Sequence, residues 1–228
     1  MPEPCRYGTA VQSANHPTCG NHGRVAHQIA TARHGIHSTM KLLAISGSAR
    51  RASTNTALLM AMSHLVPEDV ELSVFHRLDA LSVFSPDSEG DNTPAEVAQF
   101  LERVAAADGL IISSPEYVHA IPGGLKNAID WMVSRFEVIG KPIALAHASH
   151  RGDDMLASLR LVLSTVSDNF LGDVFLRIPL VGKSREEIST LLGLPEHELQ
   201  IRRFLSDFTA SIRSSDTRDD TAPRVWHI

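Results

Sequence analysis

The chain has 228 residues, 43% of them hydrophobic, enough to bury one sizeable core. A net charge of −5 leaves no basic footprint for nucleic acid or an anionic membrane surface. No apolar run approaches the roughly 20 residues that span a bilayer, and the N-terminus lacks the charged-then-apolar layout of a secretory signal. Both cysteines, Cys5 and Cys19, precede residue 40, so the rest of the chain holds neither a disulfide nor a thiol nucleophile. A reducing cytoplasm and a small-molecule partner are the expectation.

Residues 1–39 stand apart. They carry His16, His22, His27, His34 and His37, three arginines against the single acid Glu3, and no sustained helical or strand period. The remaining residues carry 18 basic and 25 acidic side chains. The segment reads as a disordered extension. Cys5, His16, Cys19 and His22 match no standard zinc spacing, and the histidines argue against a transit peptide. Met40, followed at once by a strand pattern, is the expected natural start.

From there strand and helix signals alternate. The first strand spans 42–46, and a helix runs from Ser53 or Thr54 to about Leu65. The alternation in 70–75 predicts a half-exposed edge strand. A Ser-, Pro- and Asp-rich loop (82–94) leads to a helix with Val97, Phe100, Leu101, Val104 and Ala105 on one face. A third strand over 110–113 precedes a helix over about 123–135, with Ile129 and Trp131 as its core residues. The fourth strand covers 141–146, a helix opens at Asp153 and Asp154 and runs to about Val166, and the fifth strand covers 173–178. The last helix, 196–212, carries Ile201, Phe204, Leu205, Phe208 and Ile212 in an i, i+3, i+4, i+7 stripe. Residues 214–228 are polar and read as a flexible tail. Five strands alternating with five helices predict one doubly wound parallel sheet over 40–213, flavodoxin-like, in the order 2-1-3-4-5 with helices on both faces. Ligands of such sheets bind beyond the strand tips at the switch point, here between strands one and three.

Two loops follow those two strands. Gly47 permits a sharp turn out of strand one, and Ser48, Ser53, Thr54, Asn55 and Thr56 then set short donors around a helix N-terminus, which favours an anion. Arg50 or Arg51 can add a charge-assisted bond. An ordinary helix cap explains the same residues equally well. Neither G-x-G-x-x-G nor G-K-[ST] is present, so a terminal monophosphate suits the loop better than a dinucleotide pyrophosphate or a triphosphate. The loop after strand three, S-P-E-Y-V-H-A-I-P-G-G-L-K-N-A-I-D-W (114–131), makes a proline-bounded shelf for a flat ring. A phosphate cradle beside a flat shelf describes FMN.

The segments G-S-A-R-R-A-S-T-N (47–55) and 114–131 resemble the two signatures of the NADPH-dependent FMN reductase family, with flavodoxin-like quinone, azo-dye and chromate reductases among its members. The likeness covers residues 40 to 213. It implies an FMN-dependent enzyme with NADPH or NADH as co-substrate and a small-molecule electron acceptor, working in a two-electron ping-pong cycle. It also implies a homodimer or homotetramer. By the same resemblance Ser48, Arg50, Ser53, Asn55 and Thr56 hold the FMN phosphate, and Pro115, Glu116, Tyr117, Val118 and His119 line the ring, with the backbone N–H groups of 116–119 toward its electron-rich edge. Ser149, after strand four, touches the ring edge or ribityl chain. Lys126, Asn127 and Asp130 shape the loop or a subunit interface. Val118-His119 departs from the Asn-Gly often found after Glu-Tyr in these enzymes, which places acceptor choice there. No metal site is expected. The competing readings are a flavodoxin-like electron carrier and a flavin-binding module without NADPH activity.

Overall fold

Short apolar runs bounded by turn formers become five strands in the computed structural model, which describes residues 39–133 and 135–219. β1 (Met40–Ser46), β2 (Val70–Phe75), β3 (Gly109–Ser113), β4 (Ile143–His147) and β5 (Phe170–Arg177) form one sheet in the order β2-β1-β3-β4-β5. Every neighbouring pair is parallel. This is the doubly wound, flavodoxin-like arrangement predicted from the sequence. All but Thr39 of the expected extension 1–39, including the cysteines, lies outside the described residues, as does 220–228.

Around the sheet lie α1 (Thr54–Ser63), α2 (Ala95–Ala106), α3 (Gly123–Val133), α4 (Phe136–Ile139), α5 (Asp153–Val166), α6 (Arg185–Leu192) and α7 (Pro195–Asp219). Side chains alternate across β1, so Leu43 and Ile45 pack with Phe100, Trp131, Met155 and Leu159 on one face. Leu42 and Ala44 pack with Leu58, Met62, Phe204 and Phe208 on the other. Helices therefore cover both faces. The central strands β3 and β4 are buried along their whole length, as a parallel sheet requires. Ile129 and Trp131 are core, and the stripe at 201, 204, 205, 208 and 212 is buried throughout.

The departures have local causes. β5 begins at Phe170, not 173: Gly172 looks like a break in sequence, but its carbonyl accepts from the Arg160 guanidinium (2.6 Å), and that group also lies 4.9 Å from the Phe175 ring centre. α6 has a charged first turn that hides its apolar face. It is set by a capping box in which Ser184 and Glu187 satisfy each other's N–H groups. α7 runs past 213 to Asp219, anchored at Arg213 by an ion pair with Asp69 (2.6 Å), so the expected tail boundary falls inside a helix. Ala105 is exposed, and Ala107 completes the apolar seal at that end of α2. Loop 82–94 is not structureless. Asn127 clips it, accepting from the Phe84 N–H (2.8 Å) and donating to the Ser82 carbonyl (3.0 Å), while the Trp131 indole donates to that same carbonyl (2.8 Å). Among the described residues, no helix is long and apolar enough to cross a membrane.

Candidate functional site

β1 and β3 end side by side, and their tips are fused by polar contacts. The Gly47 N–H donates to the Ser113 carbonyl at 2.7 Å. A Cβ on Gly47 would lie 2.7 Å from the Ser114 hydroxyl and 2.9 Å from Leu125, so only glycine fits this turn. Just beyond, Asn55 reaches back from α1 and accepts from the buried Ser113 hydroxyl (2.9 Å), and the Thr56 and Ser46 hydroxyls meet at 2.8 Å. Ser53 is the N-cap of α1, accepting from the Thr56 N–H (3.3 Å), and Ser48 accepts from the Arg50 N–H (3.3 Å).

Of the five residues expected to hold a phosphate, Ser48, Ser53, Asn55 and Thr56 thus have side chains that brace the loop. The ordinary-cap reading of Ser53 describes its hydroxyl correctly. The N–H groups of Thr54 and Asn55 bond to no described residue and point out of the first turn of α1 as open donors. Arg50 is exposed and forms no ion pair among the described residues.

The shelf is a tight reversal. Tyr117 and Ala120 exchange both backbone bonds (3.1 and 3.0 Å), and the residues between them, Val118 and His119, have φ of 53° and 57°. Positive φ at both central positions is the turn that favours Asn-Gly; a β-branched residue there is an outlier. The Tyr117 N–H, expected to face a ring, is engaged in this turn. Val118 is 95% exposed and Tyr117 half exposed. The Glu116 carboxylate turns instead to the N-terminus of α5, accepting from the Met155 N–H at 3.0 Å. His119 Nδ1 lies 2.7 Å from an Asp154 oxygen and 3.9 Å from a Glu116 oxygen, and these three side chains are close enough to share a cation.

Sequence reasoning missed His147, which ends β4 fully buried beneath the shelf. Its Nε2 lies 2.5 Å from the Arg151 carbonyl and its Nδ1 3.2 Å from the Ser114 carbonyl, so one ring lies between the β3 and β4 loops and, while neutral, donates to only one of them. Burial pushes its pKa below the ordinary value, against the upward pull of the bond to Arg151. The apolar run ahead of it was the only signal, and a histidine at its end could equally have faced solvent. Ser149 accepts from the Arg151 N–H (3.0 Å), a turn within the β4 loop.

A cavity of about 1060 Å³ opens at the crevice. Ser48, Arg50, Ser53, Asn55 and Thr56 line it on one side, Pro115 and Tyr117 on another. Glu116, Val118, His119 and Ser149 do not line it. The resulting space has hydroxyls, open N–H groups and an arginine beside an aromatic shelf, which fits a phosphate joined to a flat ring.

Comparison with known proteins agrees. An NADH:(hydroxy)cinnamate reductase subunit of Vibrio ruber is 35% identical over 112 residues, 49% of this chain and 54% of that protein. A quinone reductase of Escherichia coli K12 is 31% identical over 114 residues, 48% of this chain and 60% of that protein. The chain thus spans little more than half the length of these relatives. Among solved structures, the flavoenzyme NAD(P)H:(acceptor) oxidoreductase FerB of Paracoccus denitrificans shares the fold, with a TM-score of 0.61 at 21% identity over 77% of this chain and 98% of that one. Residues 40–178 match the family model for NADPH-dependent FMN reductase, and the chain belongs to that family.

Proposed function

We propose that the protein is an FMN-dependent NAD(P)H oxidoreductase that reduces small acceptors of the quinone, azo, chromate or flavin type. The observation that carries this reading is one cavity joining the donor loop 48–56 to the Pro115–Tyr117 shelf at the sheet's switch point. Bound FMN supplies the hydride chemistry. The chain supplies everything else. The N–H groups of Thr54 and Asn55, with Arg50 and Ser48, bind the phosphate; Ser53, Asn55 and Thr56 hold that loop rigid from within. Pro115 and Tyr117 support the ring, and Glu116 fixes the shelf to α5. Ser149 and His119 act on loop shape, and the exposed Val118 meets the incoming acceptor. A second copy of the chain closing the site, as a homodimer or homotetramer in the cytoplasm, belongs to the same reading.

The test is reconstitution with FMN followed by oxidation of NADPH and NADH against quinone, azo, chromate and flavin acceptors. The expected outcome is stoichiometric FMN uptake and acceptor-dependent turnover. A protein that takes up no FMN overturns the reading; one that binds FMN but oxidises neither nucleotide is an electron carrier or a flavin-binding module.

A further inference from the structure

The cavity does not end at the phosphate cradle. It continues along α1, whose 10 residues give it about 15 Å of length at the helical rise, and is closed on the far side by α6. Met60, Ile188 and Leu192 form an apolar floor there. Arg51, Lys183 and Arg185 stand at its mouth, all exposed, and none forms an ion pair among the described residues. Glu198 is the sole carboxylate among the described residues that line the cavity. A cradle that seats one phosphate at the N-terminus of α1 leaves this length of groove, and these cations, unused.

Resting on the reading above, we propose that the groove holds the adenosine half of the dinucleotide co-substrate, with Arg51, Lys183 and Arg185 recognising its phosphates, the 2′-phosphate included. The adenine lies on Met60, Ile188 and Leu192, where a polarisable thioether and aliphatic chains suit a planar base. Guanidinium groups match phosphate oxygens in fork geometry, and the lysine adds a point charge. The two cations that flank the N-cap of α6, Lys183 and Arg185, are placed by structure. Gly182 turns the chain at φ +84°, and the capping box fixes the start of α6 between them. There Glu187 accepts from the Ser184 N–H (2.7 Å), which keeps its carboxyl below the ordinary range, and that carboxylate is the charge that offsets Lys183 in part. The consequence is selectivity: NADPH is preferred to NADH because only NADPH brings the extra phosphate to these cations.

Calorimetric titration of the full-length chain with adenosine 2′,5′-bisphosphate and with 5′-AMP tests this without turnover. The bisphosphate is expected to bind at least about tenfold more tightly, the scale of one charge-assisted hydrogen bond. Lys183→Ala with Arg185→Ala should erase most of that preference and raise the KM for NADPH more than the KM for NADH, with FMN affinity unchanged. Arg203→Ala, exposed on α7 and not among the residues lining the groove, controls for lost surface charge. Equal binding of the two nucleotides, or an unaltered preference in the double variant, overturns the proposal. If the chain takes up no FMN, the titration on the FMN-free protein still decides it.

Discussion

The two loops that meet at the β1–β3 crevice are built in opposite ways. The cradle, 47–56, turns its short polar side chains inward and spends them on the protein's own groups: Asn55 on Ser113, Thr56 on Ser46, Ser53 on the first turn of its own helix. The shelf, 115–120, is exposed and holds two non-glycine residues at positive φ. A phosphate site needs fixed N–H groups, because donors that must reorganise lose the advantage of a preset helix end. A surface that receives acceptors of different shape needs no such rigidity. The comparison predicts that substitutions in the cradle damage both fold and cofactor binding, while substitutions in the shelf alter acceptor use and can raise stability.

The hardest test of that contrast is Gly47→Ala. The added Cβ would sit within 3 Å of Ser114 and Leu125, and the neighbouring strand tip cannot yield without breaking the Gly47–Ser113 bond. A loss of about 1–3 kcal/mol is expected in urea unfolding, as for other overpacked sites, together with a clear loss of FMN affinity. Gly124→Ala is the matched control: its Cβ would meet Leu78 at an ordinary 3.6 Å, so the helix should gain a few tenths of a kcal/mol or more. If Gly47→Ala unfolds within 0.5 kcal/mol of the parent, roughly the scatter of neutral surface changes, the cradle is not rigid and the contrast collapses.

A smaller effect of opposite sign is expected at the shelf. Left-handed conformations disfavour ordinary side chains by about 1–2 kcal/mol per residue, with asparagine and glycine excepted. Val118→Asn with His119→Gly should therefore raise stability by about 1 kcal/mol, after allowing for the exposed His119–Asp154 contact, worth at most about 1 kcal/mol. Thermal unfolding measures the gain. Quinone KM should change while FMN affinity does not; a drop in stability would show that the turn is not strained by its side chains.

The fold was legible because its signals are redundant. Each strand of a parallel sheet is a short apolar run, and the α7 stripe admits one reading. The positions of Ser48, Arg50, Ser53 and Asn55 around one cavity were legible for the same reason, since glycine, short hydroxyls and a helix start must coincide there. What each side chain does was not. Whether Asn55 faces a ligand or Ser113 depends on a residue 58 positions away, and no local pattern carries that. Resemblance alone sets Glu116 beside a ring, and nothing local says that its carboxylate caps the open N-terminus of α5. α6 escaped notice because its helix signal lies in a capping box with a charged first turn and not in apolar periodicity.

The subtlest effect lies between the two regions, at His147, where one buried ring faces two carbonyl oxygens. A neutral imidazole has a single N–H, and the 2.5 Å contact to Arg151 takes it, leaving the Nδ1 lone pair toward the Ser114 carbonyl. The groups around it divide. Burial and the Arg177 guanidinium favour the neutral ring, while the carbonyls and the Asp153 carboxylate favour the cation, and the net direction is downward. A histidine with a depressed folded-state pKa takes up its proton more readily in the unfolded chain. Its contribution is therefore complete above the ordinary value of 6.5 and is lost as pH falls below it toward the folded-state pKa. Urea midpoints at pH 7.5 and 5.5 should show that fall in the parent. His147→Asn, which keeps one donor for the Arg151 carbonyl and cannot titrate, should flatten it. Equal slopes in both proteins would mean that the proton is taken up elsewhere, and that the ring between the β3 and β4 loops is indifferent to charge.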